Sequence, residues 1–209
     1  MRKVLLIAVA LSALSVGAAK AKTVSDPIGD FLPSFVGNHD PDLDVTSFSV
    51  AYNTISQNFT LSATMAGAIN PGLPGLYVIG VDTGTGPAKP FAGIGEPNVI
   101  FNQAIVVQKT GAVAIGANAL SAAINGDMFT LIVPLADLPS TGFAAADYGF
   151  NLWPRNGLGN NNQISDFAPQ NALLAAAPEP GVWAMMMVGL AMVGFAMRRG
   201  KGMFKAVVA

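Results

Sequence analysis

Apolar and polar positions alternate most clearly in Phe59-Thr60-Leu61-Ser62-Ala63-Thr64-Met65. Phe59, Leu61, Ala63 and Met65 share one face and three hydroxyl residues share the other, the period of a half-buried strand. Just before it, Val45 to Tyr52 places Phe48, Val50 and Tyr52 on one face, and Asn53 to Asn58 suits a turn, so 45–65 reads as a hairpin. Further strands are expected at Leu76–Val81, Val99–Gln108, Ala112–Ile124 with a break at Gly116, Met128–Pro134, Asp147–Trp153 and a short one at Ile164–Phe167. Asn125-Gly126-Asp127 between two apolar runs is a tight-turn signal, with Gly126 free to take positive φ. Pro134 to Leu138 suits one helical turn. Nowhere between Val24 and Phe167 does a helical period of apolar residues persist. Seven or so short strands with Gly- and Pro-rich turns predict an all-β fold, an antiparallel sandwich.

The two ends read differently. Arg2-Lys3, the apolar stretch Val4 to Val16 and Ala19-Lys20-Ala21 follow the plan of a secretory signal peptide, with cleavage expected after Ala21 or, as second choice, Ala19. The competing reading is an N-terminal membrane helix that stays. Near the other end, Gly181 to Met197 is a run of 17 residues with no charge. At about 1.5 Å per residue it reaches about 26 Å, the lower limit for crossing a hydrocarbon core about 30 Å thick. Trp183 stands near one end, at headgroup level, and Arg198, Arg199, Lys201 and Lys205 follow the other, which places the C-terminus in the cytoplasm. A buried C-terminal helix of a soluble domain is the alternative, but such helices rarely lack charge all round.

At these residues the chain resembles a known family. Pro178-Glu179-Pro180, then Trp183-Ala184-Met185-Met186, an apolar span with Gly189 and Gly194, and Arg198-Arg199 look like the PEP-CTERM sorting signal of exported proteins of Gram-negative bacteria. The resemblance implies recognition and cleavage near Pro178–Pro180 by a membrane-embedded cysteine protease, an exosortase, often in organisms that make extracellular polysaccharide. One departure stands out: the family usually ends close after its basic cluster, whereas here Gly200 to Ala209 adds a tail. The implied division is a signal peptide at 1–21, an ectodomain at 22–167, a small-residue linker at 168–177, a sorting signal at 178–205 with its membrane helix at 181–197, and a tail at 206–209.

Charge and composition sharpen this picture. The 52% hydrophobic content is inflated by the two apolar ends. Between Lys22 and Ala177, four basic residues face eleven acidic ones, leaving the exported part at −7. That argues against a nucleic-acid partner, which needs a basic face, and favours divalent cations or uncharged glycans. With no cysteine, zinc fingers, redox motifs and cysteine nucleophiles are excluded, and the domain must be held by its core alone.

Two stretches carry a second resemblance. Asp26-Pro27-Ile28-Gly29-Asp30 and Tyr148-Gly149-Phe150-Asn151-Leu152-Trp153-Pro154-Arg155 look like landmarks of carbohydrate-binding and DOMON-like jelly-roll sandwiches, and Val133-Pro134-Leu135-Ala136-Asp137-Leu138 fits the same template. Independently of that, Trp153 and Arg155 are candidates to stack on and hydrogen-bond a sugar, against the reading that Trp153 fills the core at a strand end.

The remaining chemistry is sparse. His39 is the single histidine, in the polar loop Asn38 to Asp44, and no Gly-x-Ser-x-Gly elbow accompanies it. Asp40, Asp42 and Asp44 alternate there, with Asp26 and Asp30 nearby, and offer hard oxygen ligands of the kind calcium takes. The spacing fails the EF-hand template, and a solvated acidic loop is the competing reading. Glu96 is the one Glu inside the domain, and nothing singles out the carboxyl pair that a glycosidase needs. The sequence therefore predicts an exported, non-enzymatic cell-surface or matrix protein. Its expected partners are an exosortase-type protease, the membrane and extracellular polysaccharide, with a glycan- or calcium-binding module as the alternative.

Overall fold

The computed structural model describes residues 21–86, 88–178 and 189–192. The chain divides into two units, Ala19–Glu179 and the two ends Met1–Ala18 and Pro180–Ala209, and the fold is that of the first. It is all-β. The expected signal peptide at 1–21 lies outside the described residues apart from Ala21. Of the expected span at 181–197, residues 189–192 are helical and the others lie outside the description. Among the described residues no helix is long and apolar enough to cross a membrane.

The expected hairpin is present as β2 (Val45–Asn53) and β3 (Asn58–Met65), paired antiparallel from Asn53↔Asn58 to Val45↔Met65 with a bulge near Thr46. Its turn closes because the Asn53 side-chain oxygen accepts the N–H groups of Ile55 and Ser56, both at 2.9 Å, an Asx-type cap that competes well with extended structure. β4 (Leu76–Asp82), β5 (Gln103–Gln108), β6 (Ala112–Ile115), β7 (Asn118–Asn125), β8 (Met128–Pro134) and β9 (Gly149–Arg155) follow. Gly116 takes φ of 54° between β6 and β7, and Gly126 takes 63° in the two-residue turn between β7 and β8. Both breaks fall where the sequence placed them, and for the same reason: the left-handed conformation favours glycine. The single turn expected at Pro134–Leu138 is a 3-10 turn over Leu135–Asp137.

With β1 (Lys22–Ser25), β10 (Leu174–Ala175) and β11 (Ala177–Pro178), the strands form one path in the order β1-β2-β3-β8-β7-β6-β5-β4-β9-β10, with β11 beside β2. β7 is shared along its length: its first half pairs with β6 and its second with β8. The two ends of the path, β1 and β10, come together, so the sheet is nearly closed.

One face of every long strand points into a common interior. Phe59 lies at its centre, its ring centroid 4.7 Å from Tyr52, 5.5 Å from Tyr148 and 5.2 Å from Phe150. β4 and β9 are buried on both faces along their whole length, which is why their sequences run apolar without alternation. Their second face carries an outer cluster of Leu76, Val78 and Trp153. It is covered by Leu32, Phe35, Phe91, Val99, Ile164 and Phe167 from the connecting segments. Each such large side chain stabilises the fold by about 1.5–3 kcal/mol through burial.

Three departures from the sequence reading have physical causes. Val99–Gln108 is a strand only from Gln103, because Val99 and Phe101 leave the ladder to roof the outer cluster. Ile164–Phe167 makes a single bridge, Arg155↔Ile164, because its side chains are claimed by cover packing. Residues 168–177, expected as a flexible linker, are built into the domain. Ala168 exchanges backbone hydrogen bonds with Leu152 at 2.8 and 2.9 Å, and Asn151 Nδ2 donates to the carbonyls of Pro169 and Ala172. β10 then pairs with β9, and β11 lies parallel to β2 at Ala51 and Tyr52.

The junction of β4 and β9 has no spare room. A Cβ on Gly80 would meet Trp153 Cη2 and Cζ3 at 2.5 Å. Gly80→Ala is expected to destabilise the domain by about 1–3 kcal/mol through overpacking. Gly93→Ala, where nothing lies within 4 Å, should stay within about 0.5 kcal/mol. Chemical denaturation of the two variants beside the wild type measures both.

Candidate functional site

The acidic loop does not take the strand alternation that would align Asp40, Asp42 and Asp44. Pro41 starts a 3-10 turn over Pro41–Leu43, and that turn sends the three carboxylates to different surroundings. Asp40 closes the turn with its backbone carbonyl, which accepts Leu43 N–H at 2.8 Å. Asp42 turns inward and forms an ion pair with Lys109 at 2.8 Å, both side chains almost fully buried. Its Oδ2 also accepts Asn70 N–H, and Lys109 Nζ donates to the Pro74 carbonyl. A cation therefore already sits on Asp42, and it is a lysine. Asp44 turns the other way, its Oδ2 accepting Gly29 N–H at 2.7 Å.

That last contact leads to the carboxylates that do converge. β1 ends at Ser25, and Asp26 continues its ladder by donating its N–H to the Thr46 carbonyl. The loop Pro27-Ile28-Gly29 then reverses the chain, with Gly29 at φ of 84°, a conformation glycine adopts without steric cost. This reversal returns Asp30 to the neighbourhood of Asp26 and aims the Gly29 N–H at Asp44. From the far end of the sequence, Asp166 enters beside them. Its Oδ2 accepts Val45 N–H at 2.8 Å and its Oδ1 accepts Phe167 N–H at 2.6 Å. Ser165 anchors the same segment through its hydroxyl, which donates to the Leu43 and Pro154 carbonyls.

Asp26, Asp30 and Asp166 each offer an oxygen within 4.8 Å of the other two. Asp166 is 1% exposed and Asp44 3%. Asp26 Oδ2, Asp30 Oδ1 and Asp44 Oδ1 are buried without a hydrogen-bond partner. Among the described residues the one ion pair is that of Asp42 and Lys109, so no basic side chain answers this cluster.

Burial pushes the Asp166 carboxyl up to about 8; the Val45 and Phe167 N–H groups oppose the rise, while Asp26 and Asp30 add to it. Burial likewise raises Asp26 to about 7, with Asp30 and Asp44 repelling its charge and a hydrogen bond shared with Asp166 working the other way. Asp44 is raised by burial against the pull of the Gly29 N–H. Like charges at this spacing disfavour full ionisation unless a cation or protons intervene.

Trp153 and Arg155 both line one cavity of about 290 Å³ on the outer face of β4, β5 and β9. Trp153 is 2% exposed, with Phe91 and Phe101 each 5.0 Å from its ring. It is packed among these rings, and its Nε1 has no acceptor. Arg155 is 8% exposed. Its guanidinium donates from Nε to the Gly157 carbonyl and from Nη2 to the Asn160 carbonyl at 3.1 Å, and burial lowers its pKa.

His39 stacks on Phe31 at 4.4 Å and lies 5.8 Å from Phe35, the two phenyl rings being 5.9 Å apart. Glu96 is buried, accepts Gln170 Nε2 at 2.9 Å, and is raised by burial. Of the sorting residues, Pro178 lies in β11; Glu179, Pro180, Trp183, Arg198 and Arg199 lie outside the described residues.

Sequence reasoning placed Asp26 and Asp30 near the acidic loop but missed Asp166. No signal in the sequence singled it out, since the burial of the run Ile164 to Ala168 is visible only in the fold.

No protein-family model, no curated protein and no solved structure matches this chain.

Two outcomes follow. Lys109→Met leaves the Asp42 charge buried and uncompensated and is expected to cost about 3–5 kcal/mol, read by urea denaturation. The second concerns the raised carboxyls. A group that holds its proton more tightly when folded stabilises the fold at low pH, and that contribution is lost as pH climbs from the ordinary value through the raised one. For Asp26 the window runs from about 4 to about 7. Asp26→Asn carries no charge at any pH, so in chelator it should gain stability relative to wild type across that window; paired thermal melts between pH 4 and 8 show it.

Proposed function

We propose that this chain is an exported, non-enzymatic surface or matrix protein, held in the inner membrane by a C-terminal span and processed by an exosortase-type protease. The observation that carries the reading is where the compact domain begins and ends. Its strands run from Lys22 to Pro178, beginning just after Ala19-Lys20-Ala21 and ending at the first residue of Pro178-Glu179-Pro180. Cutting at both places would liberate the domain with its strands complete, since the last of them ends at Pro178. The net charge of −7 on the liberated part suits an outward-facing, soluble surface. We read the nearly closed sheet as a jelly-roll-like sandwich in which β7 passes from one half to the other.

Polysaccharide is the matrix partner this reading implies. A sugar stacked on Trp153 has the weaker support, because the residue is 2% exposed with Phe91 and Phe101 against it.

The proposal is tested by fractionating cells that express the chain with a C-terminal tag. The wild type should lose the tag and leave the inner membrane, while Pro178→Ala and Glu179→Ala should accumulate as uncleaved, membrane-held precursor. Wild type and variants all remaining unprocessed in the inner membrane would overturn it.

A further inference from the structure

We propose that the cavity on the outer face of β4, β5 and β9 binds a small apolar carboxylic acid as its anion, the apolar body against Phe91, Phe101, Trp153 and Val106 and the carboxylate on Arg155. The cavity measures about 290 Å³, about twice the volume that encloses a benzene ring in a protein core. That gives room for one ring with a short acidic arm.

Its walls are built rather than accidental. Val78, Ala104 and Val106 from β4 and β5 form an apolar floor beside Trp153 of β9. Phe91 and Phe101 stand over the Trp153 ring at 5.0 Å. Two loops complete the rim, and Asn161 Nδ2 ties them by donating to the Pro90 carbonyl at 3.0 Å. The loop that carries Leu158 is braced as well, since Gln163 Oε1 accepts the N–H groups of Gly159 and Asn160. Leu158 itself is 60% exposed at the rim, an apolar side chain that a ligand would cover.

Arg155 supplies the charge. The fold neutralises its other deeply buried cation, Lys109, with Asp42, and among the described residues that is the one ion pair. Arg155 is nearly as buried, yet its acceptors are two backbone carbonyls, those of Gly157 and Asn160. They engage two of five guanidinium N–H donors and bring no counter-charge. A cation held out of water without an anion is unfavourable, and an anion entering the cavity relieves it. Trp153 adds an independent observation: it lines the same cavity, and its Nε1 is buried with no acceptor. Buried donors are satisfied in the great majority of cases, so an acceptor is missing on this side of the domain too.

These features select the ligand class. A hydrocarbon would fit the walls and leave Arg155 uncompensated. An inorganic anion would answer Arg155 and leave the aromatic walls wet. A sugar needs many polar partners, and besides Arg155 and Trp153 the cavity offers the Asn161 amide alone among its side chains. A carboxylate on an apolar body meets both demands, its planar oxygens matching the guanidinium fork. This goes beyond the sorting reading and is independent of it, since the cavity is formed whether or not the C-terminal signal is cleaved.

The test uses the full chain in lipid nanodiscs at pH 7.5, with empty nanodiscs as the blank and 3-phenylpropanoate as the probe. In the Trp183→Phe chain the single remaining tryptophan is Trp153, so its emission reports the cavity directly. The acid should change that emission with saturation at one site and a Kd tighter than about 1 mM, ordinary efficiency for about ten heavy atoms. The neutral 3-phenylpropanamide should bind at least fivefold more weakly. Arg155→Met should abolish the preference for acid over amide, a readout that loss of packing alone would not move. Val106→Phe, which fills the cavity without touching Arg155, should melt like the wild type and bind neither probe; should Arg155→Met fail to fold, this variant and the wild-type preference decide. No saturable change above the blank, an amide that binds as tightly as the acid, a preference undiminished in folded Arg155→Met, or full binding in Val106→Phe would each overturn the proposal.

Discussion

The hydrogen bond from Val45 N–H to the Asp166 carboxylate spans 121 positions of sequence, and much of the architecture depends on it. Val45 opens the first long strand, so its N–H has no ladder partner at that end and needs an acceptor. Supplying a carboxylate from the segment after β9 satisfies that donor and fixes where the final part of the chain crosses the domain. Ser165 secures the same crossing from both sides, to Leu43 and Pro154. Ile164 and Phe167, flanking it, then cover Trp153 on the outer face of β9. One polar contact thereby sets the register between the beginning and the end of the fold, and it brings a negative charge into a place where Asp26, Asp30 and Asp44 already gather.

The contrast with Asp42 shows how differently the fold treats two carboxylates two residues apart. Asp42 has its charge met at Oδ2 by Lys109 and Asn70 N–H, while its Oδ1, like that of Asp44, has no donor. Asp44 receives one N–H and nothing more. A buried ion pair with well-placed hydrogen bonds holds its own against desolvation, so Asp42 behaves as a structural strut. Asp44 and its neighbours have no basic side chain beside them, and burial raises their carboxyls instead. The proline-initiated turn at Pro41–Leu43 separates the two fates, because it breaks the alternation that would otherwise point both side chains the same way.

Much of the sheet was legible because period-two patterning reflects burial on one face. β2, β3 and β8 bury Phe48 and Val50, Phe59 and Leu61, Phe129 and Leu131 and leave hydroxyl residues between them. The turns at Gly116 and Gly126 were legible because φ there demands glycine. The short strands β1, β10 and β11 were not, since two to four residues are too few to show a period, and they exist only because β2 and β9 offer edges to pair with. Convergence of Asp166 on Asp26 was equally hidden, as a site assembled from distant segments leaves no spacing in the sequence.

Residues 168–178 carry the consequence furthest. Their small side chains read as a pliant connector, yet Ala168 and Ala176 are buried because small residues let the backbone press against the sheet. Gly149 marks the same closeness, since a Cβ there would strike Leu173 at 2.6 Å. The domain therefore holds its chain up to Pro178 through the pairing of β11 with β2. A protease that needs an extended substrate on both sides of its cut has to draw Ala177 and Pro178 away from Ala51 and Tyr52. β11 has only two residues, so the pairing to be released is short, and β10 remains paired to β9.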